Sequence, residues 1–497
     1  MTTFPSFKFR FVLLAVGTIA AVLSLFFGNE FDSPAIAVAG EPNKAFIDVT
    51  EAMGLKGMSG GTAAWGDFDN DGWVDLCVGG QVWRNEKGKK FVKVADVAGE
   101  AIWGDFDNDG YLDLFCYGSG RLFRNIKGTK FEEVKILPKL PERVCLGATW
   151  GDFNGDGFLD LYLGGYEIWP DKEYPDIILM SDKGEKFTET WRQTKIYRAR
   201  GVTGADFDED GHLDVFVSNY RIQQNLLWKN DGKGKFTDVA IAYGAAGNET
   251  KGQGGWHGQG WFGHTIGSAW GDLDNDGHLD LFVGNFSHPP AFQDRSQFLR
   301  NKGPKGKWQF EDMTKTANLR WQESYASPTL GDYDNDGLLD LYFTTVYAGD
   351  RSVLYRNLGK WKFEEIKASA DITPALTYQA AWADFDNDGQ LDLVTGGRLF
   401  RNPGTKNHWL KVHLEGSGKV NRAAIGAQVR LRLGDQTLTR QVEGATGQGN
   451  QNDLTLHFGL GNHKDSVKLE IRWTDGTRQE LETAVDRTIT VKLAESK

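Results

Sequence analysis

The chain has 497 residues and carries 68 acidic against 56 basic side chains, a formal net charge of −12. The first, third, fifth and ninth positions of seven short loops hold 27 of the acidic residues, so the remainder has 41 acidic and 56 basic residues, a net charge of +15. The basic residues form no stripe, which argues against a nucleic-acid partner. The three cysteines leave at least one unpaired, and none has the spacing of a zinc or haem site.

An apolar N-terminal run predicts export. Two basic residues precede an uncharged, largely apolar run from Phe11 to Gly28, and Ala37-Val38-Ala39 offers small residues at the two positions that a signal peptidase reads. Cleavage before Gly40 is the favoured outcome, so residues 1–39 are predicted to be a signal peptide. The run also just reaches the length that spans a bilayer, so retention as an N-terminal anchor is the alternative. Both outcomes place the rest of the chain outside the cytoplasm, secreted, periplasmic or at the cell surface.

A nine-residue acidic frame occurs seven times in the chain. The first copy is Asp67-Phe68-Asp69-Asn70-Asp71-Gly72-Trp73-Val74-Asp75. The others begin at Asp105, Asp152, Asp206, Asp272, Asp332 and Asp384. Positions one, three, five and nine are acidic and position six is Gly, except that Asn154 occupies position three of the third copy. Four carboxylates in nine residues repel one another unless a cation lies between them, and hard oxygen ligands on a flexible loop suit Ca²⁺ better than Mg²⁺ or Zn²⁺. The glycine permits the sharp turn that folds the ligands inward.

A solvated turn and an EF-hand are two other interpretations of such a loop. Seven copies in one frame do not suit a solvated turn. An EF-hand needs a Glu at position twelve and helical flanks. Position twelve is instead occupied by Val78, Cys116, Leu163, Val217, Val283, Phe343 and Thr395. The flanks are rich in aromatic and β-branched residues, so each loop is predicted to join two strands of a hairpin.

Each repeat predicts four strands, which in the first cover 62–65, 74–79, 81–84 and 91–94. The mean spacing of the loops is about 53 residues, which is typical of propeller blades. A fourth strand with Phe near its start follows every loop except the seventh, and an equivalent at 45–50 precedes the first loop. We therefore predict an all-β fold, a seven-bladed β-propeller at 45–403 that the N-terminal strand closes, because closure removes exposed sheet edges.

Other features of the repeats concern packing. A tryptophan stands two residues before the first Asp in five copies, at Trp65, Trp103, Trp150, Trp270 and Trp382, and is predicted to pack between blades. Cys77 and Cys116 follow the ninth-position Asp by two and three residues, so they point to opposite strand faces and are predicted to be buried thiols. Cys145 pairs with Cys116 only if the fold brings the two together.

From Asn407 the pattern changes. Strands are predicted at 408–414, 425–433, 438–442, 454–458, 467–473 and 488–493, and no acidic loop occurs among them. This pattern predicts a small all-β domain at 407–494.

Both parts resemble known families. The loops resemble the FG-GAP or VCBS repeats of integrin-α-type propellers, although Trp-Gly-Asp replaces the Phe-Gly…Gly-Ala-Pro signature. The C-terminal part resembles the ASPIC/UnbV domain at 421–427, 457–461 and 473–476, with Thr474 where that family often has Pro. Together they resemble the cartilage acidic protein family of secreted calcium-binding proteins and its bacterial relatives.

This resemblance implies an extracytoplasmic calcium-binding propeller without a reaction of its own. It implies ligands at positions one, three, five and nine and a backbone carbonyl at position seven. The implied ligands to as many as seven Ca²⁺ are Asp67, Asp69, Asp71, Trp73, Asp75, Asp105, Asp107, Asp109, Tyr111, Asp113, Asp152, Asn154, Asp156, Phe158, Asp160, Asp206, Asp208, Asp210, His212, Asp214, Asp272, Asp274, Asp276, His278, Asp280, Asp332, Asp334, Asp336, Leu338, Asp340, Asp384, Asp386, Asp388, Gln390 and Asp392.

The face opposite the acidic loops is the predicted ligand face. The second-to-third and blade-to-blade connections lie there, and they carry aromatic residues and arginines on loops that a rigid scaffold holds, as binding surfaces do. The candidate residues are Trp169, Tyr220, Arg221, Trp256, His257, Trp261, His264, His288, Arg295 and Arg351. The alternative is that these residues only pack together over the mouth of the ring.

The favoured function is a non-catalytic adhesion or binding protein for an extracellular protein or glycan, with membrane contact only if the N-terminal segment is retained. The alternative is a calcium-dependent polysaccharide lyase or hydrolase with His257 or His264, both in a Gly-rich segment expected to be flexible, as acid or base beside Arg295. No nucleophile, paired carboxylate or metal-binding histidine spacing outside the loops favours it, so no catalytic residue is assigned. We expect calcium to decide folding and the Asn154 loop, with one carboxylate fewer, to be the weakest site.

Overall fold

The computed structural model describes residues 46–140, 144–248, 262–287, 294–366, 372 and 376–494. The predicted signal segment lies outside the described residues. Strands dominate the described part, which contains two one-turn α-helices, α1 (Ala240–Tyr243) and α2 (Thr314–Ala317), and a short 3₁₀ turn at Pro304–Gly306. No helix among the described residues has the length and apolar character needed to cross a bilayer.

The described residues between 46 and 401 form seven four-stranded antiparallel sheets, each in the predicted strand order. The strands are β1 (Ile47–Asp48), which completes blade 7; β2 (Ala63–Gly66), β3 (Asp75–Val78), β4 (Gln81–Asn85) and β5 (Phe91–Asp96) in blade 1; β6 (Ala101–Gly104), β7 (Asp113–Cys116), β8 (Arg121–Asn125) and β9 (Phe131–Val134) in blade 2; β10 (Ala148–Gly151), β11 (Asp160–Leu163), the hairpin β12 (Glu167–Ile168) and β13 (Lys172–Glu173), β14 (Ile177–Asp182) and β15 (Lys186–Arg192) in blade 3. They continue with β16 (Ala199–Ala205), β17 (Asp214–Asn219), β18 (Leu226–Asn230) and β19 (Phe236–Asp238) in blade 4; β20 (His264–Gly271), β21 (Asp280–Phe286), β22 (Gln297–Asn301) and β23 (Phe310–Asp312) in blade 5; β24 (Tyr325–Gly331), β25 (Asp340–Thr345), β26 (Val353–Asn357) and β27 (Phe363–Glu365) in blade 6; β28 (Ala381–Ala383), β29 (Asp392–Thr395) and β30 (Arg398–Arg401) in blade 7.

The ring closes as the sequence predicts. β1 pairs antiparallel with β30, with Ile47 opposite Arg401, so the N-terminal strand supplies the outer edge of blade 7. The first strand of every blade packs against the first strand of the next, including β28 of blade 7 against β2 of blade 1. The fold is therefore an all-β, seven-bladed propeller.

The Trp-Gly pair that precedes four of the acidic loops explains how neighbouring blades pack. Trp103 is fully buried, and its indole N–H donates to the carbonyl oxygen of Ala64 in the preceding blade at 3.1 Å. A Cβ on Gly66 would lie 2.9 Å from the Trp103 ring, so only glycine admits the indole at that point. Trp150 packs in the same way against Gly104. The predicted role of these tryptophans between blades is confirmed.

All three cysteines are buried and none forms a disulfide, and the burial of Cys77 and Cys116 is as predicted. Cys77 of blade 1 and Cys116 of blade 2 lie in one apolar cluster between the two blades. Burial raises the pKa of the Cys116 thiol to about 12, so it is an unreactive core group.

The C-terminal domain consists of two sheets. The first contains β31 (His408–Glu415), β34 (Leu456–Gly461) and β37 (Arg487–Lys492), and the second contains β32 (Gln428–Leu433), β33 (Gln436–Gln441), β35 (Val467–Arg472) and β36 (Arg478–Thr483). β31 and β37 pair in parallel, and the other pairs are antiparallel. The sequence prediction omitted β36, because its Arg-Gln-Glu-Leu-Glu-Thr sequence has a single apolar residue.

The segment between β33 and β34 runs through the centre of the ring. We call residues 443–453 the axial loop. It contacts the first strands of the blades through backbone and amide groups of its Asn and Gln residues. These hydrogen bonds join Gln451 to Ala63, Trp65 and Trp103, Asn450 to Ala63, Gly447 and Gln448 to Ser268 and Ser327, and Asn452 to Thr329 and Trp382. The axial loop therefore joins the C-terminal domain to the propeller core.

Candidate metal centres and the opposite face

Each acidic loop is a hairpin turn between the first two strands of a blade, as predicted. In blade 1 the Asp67 carboxylate accepts the backbone N–H groups of Asp71 and Gly72 at 3.2 and 2.8 Å. The Asp71 carboxylate accepts the N–H of Trp73 at 3.0 Å. The other six loops repeat these bonds. The turn thus curls around its own carboxylates.

The loops bring carboxylate oxygens together around a common centre. At least five loops each hold three aspartates whose oxygens lie within 4.8 Å of one another. These groups are Asp67, Asp69 and Asp71; Asp105, Asp107 and Asp113; Asp206, Asp208 and Asp210; Asp272, Asp274 and Asp276; and Asp332, Asp334 and Asp336. A buried carboxylate oxygen without a hydrogen-bond partner occurs at the third position in Asp69, Asp107, Asp208, Asp274 and Asp386. Unpartnered hard oxygens at this spacing fit a divalent cation, so these clusters could hold a metal ion.

The ninth-position aspartate also fastens the loop to the blade. Asp75 accepts the backbone N–H of Phe68 within its loop at 3.0 Å and that of Asn85 at the end of β4 at 2.7 Å. The same bond to the end of the third strand occurs in all seven blades. This carboxylate therefore has a structural task beside the predicted role as a ligand.

Burial and mutual repulsion favour the protonated form of these aspartates in the metal-free protein. Burial, with neighbouring carboxylates adding to it, raises the pKa of Asp67, Asp105 and Asp206 to about 7. The pKa of Asp75, which is more deeply buried, rises to about 9. A bound cation would reverse this balance, because it stabilises the ionised carboxylates.

A buried asparagine at the end of the third strand joins neighbouring loops. The Asn125 amide N–H₂ donates to Leu112 of its own blade at 3.0 Å and to Phe68 in the loop of the preceding blade at 2.7 Å. The equivalent residues are Asn85, Asn230, Asn301, Asn357 and Asn402. The sequence analysis missed this role, although the signal is present: a basic residue followed by Asn recurs at the end of the third strand in six blades. Blade 3 has Ser181 instead.

Position four of the loops forms a second set of links between blades. Asn70, in a left-handed conformation with φ of 58°, donates its amide N–H to Gly110, position six of the next loop, at 2.8 Å. The same link extends from Asn108, Asn275, Asn335 and Asn387. In blade 4 the corresponding residue is Glu209.

Glu209 links its blade by charge instead. Its carboxylate contacts His278 of blade 5 and forms 2.7 Å ion pairs with Arg430 and Arg472 of the C-terminal domain. Burial alone would raise the pKa of Glu209, but these partners hold it at about 2. The carboxylate therefore stays ionised and fixes the C-terminal domain to blade 4.

A cation on the third strand faces the third-position carboxylate in most blades. Arg124, Arg300, Arg356 and Arg401 lie 2.7 to 2.8 Å from the third-position Asp, and Lys229 pairs with Asp208. In blade 3 both partners are absent, since Asn154 replaces the Asp and Met180 replaces the cation. In blades 1, 2, 5, 6 and 7 each loop with its strand cation thus carries four negative and one positive charge, and in blade 4 Glu209 adds a fifth negative charge. Blade 3 carries three negative charges and none positive, so its net charge of −3 equals that of the first group.

The C-terminal domain contacts the acidic loops of blades 5 to 7. Backbone N–H groups of Thr439 and Gly459 donate to the first-position aspartates Asp272 and Asp332 at 3.0 and 3.1 Å. The Lys411 ammonium lies 2.9 Å from Asp384 in blade 7. The domain also pairs with Glu209 in the loop of blade 4, and the Arg422 backbone N–H donates to Asn108 in the loop of blade 2 at 2.8 Å. It therefore lies over the face that carries the acidic loops.

On the opposite face the predicted ligand residues have different environments. Trp169 is 53% exposed, and the Arg221 guanidinium lies 4.6 Å from its ring centre. Arg221 is also paired with Glu167 at 2.7 Å. Arg351 pairs with Glu365, and Arg295 is exposed beside a cavity between blades 5 and 6. Trp256, His257, Trp261 and His288 lie outside the described residues.

The expectation that His264 sits in a flexible Gly-rich segment is wrong. His264 is the first residue of β20 and is paired with Phe286. It is buried, with its ring 4.4 Å from that of Tyr220. The strand begins earlier than the Gly-rich composition suggests, because the β20 segment packs on both neighbouring blades.

Comparison with known proteins agrees with this architecture. The model for the FG-GAP-like repeat matches residues 105–163, 206–283, 272–343 and 332–395, which together make up half of the chain. The chain belongs to the FG-GAP-like repeat family. The model for ASPIC and UnbV matches residues 416–497 of this FG-GAP-like repeat protein. Both resemblances inferred from the sequence are therefore confirmed.

The curated relatives of this FG-GAP-like repeat protein include cartilage acidic protein 1. The protein from Xenopus tropicalis is 27% identical over 294 residues, which cover 56% of this chain and 42% of that protein. The Homo sapiens protein is 27% identical over 300 residues, covering 57% and 42%. The chain spans less than half the length of these relatives. Among solved structures, an Agrocybe aegerita lectin described as recognising non-reducing terminal N-acetylglucosamine is 15% identical, with a TM-score of 0.40 over 61% of this chain and 78% of that one.

Proposed function

We propose that this FG-GAP-like repeat protein works outside the cytoplasm as a calcium-binding, non-catalytic protein that holds a protein or glycan ligand. Ca²⁺ ions, as many as seven, bind the first, third, fifth and ninth positions of the acidic loops and the carbonyl of position seven. They act as structural ions, since they join the first two strands of each blade and, through the asparagine links, neighbouring blades.

The observation that carries this proposal is the set of buried, unpartnered third-position oxygens in Asp69, Asp107, Asp208, Asp274 and Asp386. A buried carboxylate oxygen without a partner costs the fold about 1–3 kcal/mol or more, and a cation between the loop carboxylates would offset this cost. Oxygen-only donors on loops favour Ca²⁺ over softer metals.

The ligand is assigned to the face away from the acidic loops. The C-terminal domain contacts the loops of blades 5 to 7 and leaves the opposite face with exposed aromatic residues, of which Trp169 and Trp321 are 53% and 45% exposed. His264, the candidate acid or base of the alternative enzymatic function, is buried against Tyr220. Its position therefore does not support that function.

Metal analysis and ligand capture test this proposal. We expect the purified protein, dialysed against low calcium, to retain several equivalents of Ca²⁺ by elemental analysis, in preference to Mg²⁺ or Zn²⁺. Ligands selected from arrays of glycans and extracellular matrix proteins should bind without being converted to product, and binding should disappear after chelation. Metal-free protein with unaltered folding and binding, or a turned-over polysaccharide, would contradict it.

A further inference from the structure

A cleft between blades 5 and 6 has the features of a ligand site. Its volume is about 550 Å³, within the range of small-molecule sites. Its lining includes residues 287 and 294–296, between β21 and β22, and residues 314, 315 and 318–322, between β23 and β24. Because the acidic loop of blade 5 joins β20 to β21, both connections emerge on the face opposite the metal loops. We call this cavity the blade 5–6 cleft.

The floor of the cleft contains a buried polar group without a partner. Gln297 is only 3% exposed, and its amide N–H₂ donates to Asp312 at 3.3 Å. Its side-chain oxygen is buried and has no hydrogen-bond partner among the described residues. A buried acceptor of this kind costs about 1–3 kcal/mol, which a ligand hydroxyl would offset by donating to it.

A second polar group beside Gln297 is already fixed in place. The Asp294 carboxylate, 6% exposed, accepts the backbone N–H of Asn248 at 2.7 Å and its side-chain N–H₂ at 3.3 Å. Asp294 Oδ1 also accepts the backbone N–H of Arg295 at 3.0 Å, so Oδ2 is the oxygen that retains a lone pair for a further donor. The floor thus presents acceptors whose positions the protein sets before any ligand binds.

The rim of the cleft carries an exposed aromatic ring on a fixed backbone. Trp321 is 45% exposed and adjoins Gln322. The Gln322 amide donates to the Arg351 carbonyl at 2.8 Å and accepts the Arg351 N–H at 3.0 Å, and the Arg320 guanidinium donates to it at 2.7 Å. The indole therefore forms a platform that a flat, apolar ligand face can stack on.

Charges in the cleft are nearly balanced. Two carboxylates, Asp294 and Asp312, face three cations, Arg295, Lys315 and Arg320. The cleft would therefore not attract a strongly charged polymer, because neither sign of charge dominates there. A pyranose has an apolar C–H face for the indole and a rim of hydroxyl groups for the amide and carboxylate oxygens. We propose that the blade 5–6 cleft binds a pyranose unit of an extracellular glycan, an inference that rests on the ligand-binding function proposed above.

The test uses the full chain saturated with Ca²⁺. A glycan array identifies a binding oligosaccharide, and titration calorimetry then measures its affinity for the wild type, Trp321→Ala and Gln297→Met. Ile241→Ala is the control, because Ile241, like Trp321, is an exposed apolar side chain on a blade-to-blade connection but lies outside the cleft. We expect the two cleft variants to bind at least tenfold more weakly, the control to change less than twofold, and all four proteins to retain the same Tm and calcium content.

The outcomes separate this inference from the function it rests on. Equal glycan affinity of the wild type and the Trp321→Ala, Gln297→Met double variant would overturn the cleft assignment and leave the glycan-binding function standing. A protein ligand that Trp321→Ala weakens, with no glycan bound, would overturn the saccharide assignment. If the protein binds neither the glycan array nor the array of extracellular matrix proteins, the proposed function and this inference are both wrong.

Discussion

In blade 3, three neighbouring features of the acidic loop differ together from the other blades. Asn154 removes one carboxylate, Gly155 removes the position-four link, and Met180 removes the strand cation. Asn154 donates its amide to Asp156 at 3.0 Å, a bond within the loop that an aspartate cannot donate. The loss of the cation offsets the loss of the carboxylate, so charge no longer separates this loop from the rest. That it is the weakest site stays a prediction, now based on the exchange of a carboxylate ligand for the weaker amide oxygen of Asn154.

Exchanging the strand cation tests this electrostatic balance. Met180→Arg should weaken Ca²⁺ binding at the third loop, and Arg124→Met should strengthen it at the second, each by about three- to tenfold, because a partly exposed charge nearby contributes on the order of 1 kcal/mol. Both calcium affinities can be measured by terbium luminescence sensitised by nearby tryptophans or by site-resolved calcium titration. An unchanged affinity in both variants would show that the strand cations do not act on the ion.

Protonation of the loop aspartates predicts that calcium uptake releases protons. The pKa of Asp67, Asp105 and Asp206 is raised by burial to about 7, so a fraction of these groups is protonated at neutral pH in the metal-free fold. Because these carboxyl groups have a higher pKa in the folded chain than in the unfolded chain, ionising them lowers the folding stability at a pH above the folded pKa. The loss is absent below the ordinary pKa near 3.8, where the groups are protonated in both states. The metal-free fold should therefore gain stability from these groups as the pH falls from about 8 towards 4.

The calcium-bound fold should show the opposite trend, since Ca²⁺ must displace those protons. We expect its affinity to fall as the pH drops from 8 to 6. Calorimetry at pH 7 in two buffers with different ionisation enthalpies counts the protons released. Identical heats in the two buffers would contradict the raised pKa values.

At the scale of the strands, the third-strand asparagines account for the joining of blades. Asn125→Ala removes two donated bonds and the bond its oxygen accepts from Gly128, all in a buried setting. We expect a loss of about 2–4 kcal/mol in the free energy of unfolding in saturating calcium. Ser181→Ala is the matched change at the same position of blade 3, where the hydroxyl accepts one bond from Gly184, and should lose about 1 kcal/mol. Equal losses in urea unfolding would show that the link between blades adds nothing.

The strands themselves were largely predictable from the sequence, because alternation, turn residues and a period near 53 residues are local signals. The acidic loops and the packing of the tryptophans followed from the same repeats. β36 was not predicted because five of its six residues are polar. His264 was expected in a flexible segment because the glycines around it are not typical of the start of a strand such as β20. The cleft residue Gln297 carries no sequence signal, since its environment is made by segments from 248 to 322.

At the scale of the whole molecule, the axial loop makes the propeller and the C-terminal domain one folding unit. Its Gly, Asn and Gln residues are typical of a surface turn, so the sequence does not predict burial in the ring. Asn450 and Gln451 are nevertheless fully buried among the first strands. The contacts join residues hundreds of positions apart, which no local pattern records.

A single unfolding transition follows from this coupling. Calorimetry of the calcium-saturated protein should show one cooperative peak for both domains. Gln451→Ala removes bonds to Trp103 and should lower the Tm of that one peak, whereas Gln436→Ala, at the start of β33 and only partly buried, should change it little. Two separate peaks in the wild type would contradict the coupling.

Calcium is the central claim of this account. A site with a Kd on the order of 10 µM in about 1 mM Ca²⁺ stabilises the fold by roughly 2.7 kcal/mol, and seven additive sites by about 19 kcal/mol, more than the roughly 5–15 kcal/mol of a typical domain. Even half of that would dominate the stability of the ring.

The most direct measurement is the thermal melt of the full chain with calcium and after exhaustive chelation and dialysis. We predict a fall in Tm of more than 10 °C on metal removal, restored by Ca²⁺ but not by equal Mg²⁺. A melt that stays the same after complete removal of the metal would contradict the account.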